Sequence, residues 1–93
     1  MKGIERSFMK DIVIYSLVHC PYCVRAKDLL NRHGIPYNEI LAEDLPRDEV
    51  ENLFSRSKMR TFPQIFAGNE LVGGFTELKK LDDEIGIKKF LNK

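Results

Sequence analysis

Cys20 and Cys23 are the two cysteines of the chain, and Pro21 and Tyr22 stand between them. Two thiols at this spacing can open and close a disulfide. Pro21 fixes φ near the helical value and lacks an N–H, so it suits the first turn of a helix. Cys20 is then expected at or near the N-cap, where unpaired N–H groups and the positive end of the helix dipole stabilise an anion. A free thiol with a pKa of ~8.5 is only slightly ionised at neutral pH, and a drop of ~2 units makes thiolate the majority form. Nucleophilicity falls with the pKa, with a Brønsted slope of ~0.4 to 0.5, but a low-pKa sulfur leaves more readily in the reverse step. Cys23, one turn further on, is expected to be more buried and to keep its proton longer, which suits it to resolve a mixed disulfide formed at Cys20. Arg25 and Lys27 either add positive charge near the thiols or are solvated helix residues. His19 either tunes Cys20 or faces solvent from the preceding loop.

The elements around this pair read as an α/β alternation. Asp11 to Ser16 is an apolar, β-branched run and predicts a buried strand, with Leu17-Val18-His19 as the loop into the thiols. Cys23, Ala26, Leu29 and Leu30 recur at helical spacing, so the first helix is expected from Pro21 to Arg32 or His33, with Gly34 as its stop. His33 suits that helix end as a structural residue. Ile35 to Leu41 reads as a second strand parallel to the first, with Pro36 at its start. Ala42 to Arg47 reads as an acidic connection, followed by a helix from Pro46 to Arg56 with Val50, Leu53 and Phe54 inward. Gln64 to Ala67 and Glu70 to Val72 flank a Gly68-Asn69 turn, a hairpin signal. Gly73-Gly74 breaks the second hairpin strand and Thr76 is placed to cap the next helix. Leu78, Leu81, Ile85, Ile87, Phe90 and Leu91 pack the C-terminal helical region, which Gly86 kinks or splits. The predicted order is βαβαββα.

Ninety-three residues suffice for one domain with one core. Residues 1–8 are expected to be an extension without chemistry. With 15 basic and 14 acidic residues the chain lacks the basic excess of a nucleic-acid or membrane-surface binder, so neither is expected as a partner. The sequence shows neither a membrane span nor the apolar core of a signal peptide, and a cytoplasmic location is expected. There, a C-x-x-C beside a βαβ pattern points to redox use and not to a structural staple. Two cysteines with His19 and His33 match no zinc pattern, so no metal site is expected.

Three motifs, Cys20-Pro21-Tyr22-Cys23, Thr61-Phe62-Pro63-Gln64-Ile65-Phe66 and Gly73-Gly74-Phe75-Thr76-Glu77-Leu78, together with this element order, resemble a dithiol glutaredoxin from about Met9 to the end. The resemblance implies a thioredoxin fold, in which a four-stranded mixed sheet of two parallel strands plus an antiparallel hairpin is flanked by helices. It further implies glutathione as co-substrate, with no tightly bound cofactor, and a monomer acting on disulfide-containing or glutathionylated proteins. By the same resemblance, a cis bond before Pro63 brings the Phe62 backbone beside Cys20, where it can pair with the cysteine of glutathione. Gly74 lets a ligand approach, the Phe75 and Thr76 amides seat the γ-glutamyl carboxylate, and Arg60, just before Thr61, meets the glycine carboxylate or stays a solvated charge. Tyr22 flanks the sulfur.

Four positions depart from that family pattern. Leu17 stands where a lysine is usual, Phe62 where valine is usual, and Phe75-Thr76 where Cys or Ser then Asp are common. Loss of one charged contact is worth ~1 to 3 kcal/mol of glutathione binding. The leading reading is a glutathione-dependent oxidoreductase acting through Cys20 and Cys23. The alternative is a redoxin reduced by thioredoxin reductase that serves ribonucleotide reductase, which Leu17 and Gly74-Phe75-Thr76 favour. An iron-sulfur cluster shared between two Cys20 thiolates is disfavoured by the stiffness of Pro21, and a non-catalytic interaction domain is the remaining class.

Overall fold

The computed structural model describes residues 10–92, so the extension expected over residues 1–8 lies outside the described residues. Strand β1 (Ile12–Ser16) leads into helix α1 (Pro21–Arg32), which returns the chain to strand β2 (Tyr37–Leu41). A 3-10 turn (Ala42–Asp44) and helix α2 (Arg47–Ser57) follow, then strands β3 (Gln64–Ala67) and β4 (Glu70–Gly73) and helices α3 (Phe75–Glu84) and α4 (Ile87–Leu91). The sheet order is β2-β1-β3-β4, with β1 parallel to β2 and the other two pairings antiparallel. This is the four-stranded mixed sheet of the thioredoxin fold.

Alternation along the strands decides which helix covers which face. Ile12 and Ile14 of β1 and Ile65 and Ala67 of β3 are buried with Ala26, Leu29 and Leu30 of α1, Leu78 of α3, and Ile87 and Leu91 of α4. Tyr15 and Phe66, the intervening residues, meet edge to face at 5.8 Å and pack toward α2, where Arg56 lies 5.0 Å over the Phe66 ring. Lys10 N–H donates to the Leu91 carbonyl at 3.1 Å, closing α4 onto the start of the described chain.

Several boundaries differ from the sequence reading. Ile35 is buried, but the second strand begins only at Tyr37, since exposed Pro36 has no N–H for the ladder. The acidic connection forms a 3-10 turn, and α2 starts at Arg47 with Pro46 as its cap. Of the three apolar residues assigned inward on α2, only Leu53 is buried, while Val50 and Phe54 are half-exposed. The helix expected to be capped by Thr76 is capped one turn-residue pair earlier: Gly74 is the N-cap, and Thr76 lies within the first turn. Glu77 supplies the cap from inside, because its Oε1 accepts the Gly74 N–H at 2.8 Å. Gly86, with φ +95, divides the C-terminal helical region into α3 and α4, and Ile85 beside it stays exposed.

Candidate active site

The two cysteines sit where β1 hands over to α1. Cys20 is the N-cap in extended conformation, Pro21 opens the helix, and the Cys20 carbonyl accepts the Val24 N–H at 3.1 Å. The cysteines are joined as a disulfide with Cα atoms 5.2 Å apart. Cys23 is 1% exposed, whereas Cys20 is only half-buried, so a partner in solution can reach Cys20 and not Cys23. The Cys23 N–H donates to Cys20 Sγ at 3.2 Å. In the reduced protein that donor, at the positive end of α1, is placed to stabilise negative charge on the sulfur.

The loop before Cys20 is held from two sides by acids that the sequence reading did not single out. Glu39 of β2 accepts from Ser16 Oγ, and Lys27 of α1 reaches the same carboxylate at 2.8 Å. The Lys27 ammonium and, after it, the Ser16 hydroxyl hold the Glu39 carboxyl below its ordinary value of 4.5. Glu43 Oε1, in the 3-10 turn, accepts the Val18 N–H at 2.8 Å. Lys27 is thus an anchor of this network, while His19 is exposed. Neither acid carries a motif, and only the β1–β2 pairing brings them here.

The Phe62-Pro63 bond is cis, and the Phe62 carbonyl oxygen lies 3.9 Å from Cys20 Sγ. Gln64, fully buried, pins this loop by donating from Nε2 to the carbonyls of Met59 and Thr61, each at 3.0 Å. The corner between β4 and α3 closes against it. A Cβ on Gly74 would lie 3.4 Å from the Pro63 carbonyl and 3.4 Å from Glu77 Oε1, in contact with both. Phe75 opens α3 and its ring lies 6.1 Å from that of Tyr22, which is 54% exposed and carries Arg25 5.0 Å from its own ring. Cys20, Tyr22, Phe62, Pro63, Gly74 and Phe75 are therefore neighbours, and the Thr76 amide points out of the first turn of α3 beside them.

Arg60 and Thr61 are exposed. The Arg60 guanidinium stacks over Phe54 at 5.0 Å, and Phe54 in turn faces Phe62 at 6.2 Å. Arg60 is thus linked to the redox centre through two rings, Phe54 and Phe62. Among the described residues, no group of three or more His, Cys, Asp or Glu side chains could hold a metal ion, and no helix is long and apolar enough to cross a membrane.

The arrangement can therefore exchange a disulfide at one accessible sulfur while a buried second sulfur waits behind it. Comparison with known proteins agrees with this chemistry. Residues 12–72 match the family model described as Glutaredoxin. Glutaredoxin 1 of Rickettsia prowazekii is 38% identical over 89 residues, covering 95% of this chain and 94% of that one. The solution structure of glutaredoxin from Brucella melitensis superposes with a TM-score of 0.76 at 43% identity, covering 95% of both chains. The crystal structure of a buckwheat glutaredoxin-glutathione complex superposes with a TM-score of 0.79 at 25% identity, covering 88% of this chain and 76% of that one.

Proposed function

The chain belongs to the glutaredoxin family and is a thiol-disulfide oxidoreductase; from that premise we propose that it reduces protein disulfides and protein-glutathione mixed disulfides at the expense of glutathione. The observation that carries this reading is the position of Cys20 Sγ, reachable at a helix N-cap, under the Cys23 N–H and beside the Phe62 carbonyl. That carbonyl is a fixed acceptor for the backbone N–H of an incoming cysteine, added as a strand. The Phe75 and Thr76 amides, unpaired by their own helix, are suited to a carboxylate, and Tyr22 with Phe75 makes a wall beside the sulfur. The glutathione complex of the buckwheat relative supports the same ligand here.

For a glutathionylated protein, the Cys20 thiolate attacks the glutathione sulfur. The protein thiol leaves and takes up a proton, and Cys20 carries the glutathione. A second glutathione thiolate attacks that glutathione sulfur, so oxidised glutathione departs and the Cys20 thiolate is restored. For a protein disulfide, Cys20 attacks one sulfur and forms a mixed disulfide with the substrate. Cys23 loses its proton and attacks Cys20 Sγ, releasing the reduced substrate and leaving the Cys20-Cys23 bond. Two glutathiones then reduce that bond in sequence and leave as the oxidised dimer. Access supports this division of labour, because only Cys20 is open to a bulky substrate. A reducing, glutathione-rich compartment such as the cytoplasm is what this cycle requires.

Turnover of hydroxyethyl disulfide with glutathione and glutathione reductase tests the reading directly. Robust turnover is expected. Turnover sustained only by NADPH and thioredoxin reductase would replace it with the redoxin alternative, for which the uncharged Leu17 three residues before Cys20 is the favouring observation.

A further inference from the structure

One face of α2 stays open beside the redox centre. It borders a groove of about 770 Å³ lined by Arg47, Val50, Glu51, Phe54, Lys58 and Arg60. The helix residues among them recur at three- and four-residue spacing, so they form one stripe. Val50 and Phe54 give the groove an apolar floor, and three cations face one carboxylate. Glu51 lies 3.6 Å from Arg47, but both side chains are largely exposed, so this pair neutralises little. The groove is continuous with the site: Arg60 covers Phe54, Phe54 faces Phe62 at 6.2 Å, and the Phe62 carbonyl is 3.9 Å from Cys20 Sγ.

Its length exceeds what glutathione needs. With its cysteine at Cys20, the tripeptide ends one residue away, and an extended residue spans at most ~3.6 Å. Arg47 begins α2 two turns before Phe54, which places its backbone roughly 10 Å further along the helix. A chain that reaches it must continue about three residues beyond the glycine position.

We propose that this groove binds the segment flanking the reacting cysteine in a protein substrate, and that it selects segments in which acidic side chains alternate with apolar ones. Apolar side chains cover Val50 and Phe54, while carboxylates meet Arg47, Lys58 and Arg60. The inference rests on the proposed oxidoreductase reading for its substrate, and its test is separable from that reading.

The probe is a short fluorescein-labelled peptide of alternating glutamate and leucine without cysteine, compared with its glutamine counterpart by anisotropy on the oxidised protein. The acidic peptide is expected to bind at least about tenfold more tightly, with the gap narrowing as salt rises from about 0.02 to 0.2 M. Arg47→Glu with Lys58→Glu should abolish the preference. Arg47→Gln with Lys58→Gln, which removes charge without adding repulsion, should weaken it and decides the matter if the reversed protein does not fold. Equal binding of the two peptides, or a preference that survives both variants, overturns the proposal. Hydroxyethyl disulfide turnover of the wild-type protein reads the oxidoreductase cycle alone, so its absence would strike at that cycle and leave the peptide result standing.

Discussion

The Val18 N–H donates to Glu43 Oε1 across 2.8 Å, tying the loop that precedes Cys20 to the 3-10 turn that directly follows β2. Val18 itself is exposed, so its amide would find water if the carboxylate were removed. Glu43 therefore acts on loop position more than on stability, and its net worth is about 0.5 to 1.5 kcal/mol. Glu43→Ala should speed hydrogen exchange at Val18 and lower kcat/KM several-fold, whereas Glu43→Gln, which keeps an acceptor, should restore both. Unchanged Val18 exchange in the alanine variant would remove Glu43 from this role.

The two cysteines should separate by substrate. Cys20→Ser is expected to abolish reduction of glutathionylated and disulfide substrates alike. Cys23→Ser should retain deglutathionylation and lose most protein disulfide reduction, because in the proposed cycle Cys23 serves only to displace a bound substrate. Parallel assays on a glutathionylated protein and on a protein disulfide read this directly.

Glu39 sets a pH dependence of stability. Its folded pKa lies below the ordinary value of 4.5, owing first to the Lys27 hydrogen bond and then to that of Ser16. A depressed carboxylate stabilises the fold above its unfolded pKa, and this contribution fades as pH falls through the folded pKa. The wild-type protein should therefore exceed Glu39→Gln in urea midpoint at neutral pH, with the difference shrinking steadily below about pH 4.5. A constant difference across that range would disprove the linkage.

Gly73 and Gly68 should differ in what an added methyl costs. Gly73 has φ +124, and a Cβ there would meet Glu77 Cβ and Cγ at 2.8 Å, while Gly68 has φ +62 with open space around it. Gly68→Ala carries backbone strain of about 1 to 2 kcal/mol. Gly73→Ala adds a clash with the residue that caps α3, so its cost should be the larger, and thermal unfolding of the pair compares them.

The redox loop was legible because its determinants are local. Pro21 after Cys20 and the helical recurrence of Cys23, Ala26, Leu29 and Leu30 predict the helix Pro21–Arg32 with Cys20 at its cap, as found. The hairpin around Gly68-Asn69 was legible for the same reason. Where local signals compete, the boundary was not: Thr76 carries a capping side chain, yet Glu77, three residues after Gly74, accepts the Gly74 N–H and the cap falls two residues earlier. Val50 and Phe54 have core-like periodicity, yet only Leu53 of that stripe meets the sheet closely enough to be buried.

By itself, the sequence determined the succession of elements, the placing of one sulfur at a helix start, and the family to which the three motifs point, because each is encoded within a turn or two of chain. Tertiary structure decided what stands around that sulfur. Phe62 lies 42 residues from Cys20 in the chain, and Glu43 lies 25 from Val18, and the sheet brings each pair together. It also decided which side of α2 is left uncovered, since that depends on how far the helix stands from Tyr15 and Phe66 beneath it and not on its own apolar period. Periodicity can mark a residue as apolar, but only packing against a specific neighbour determines whether it becomes core or binding surface.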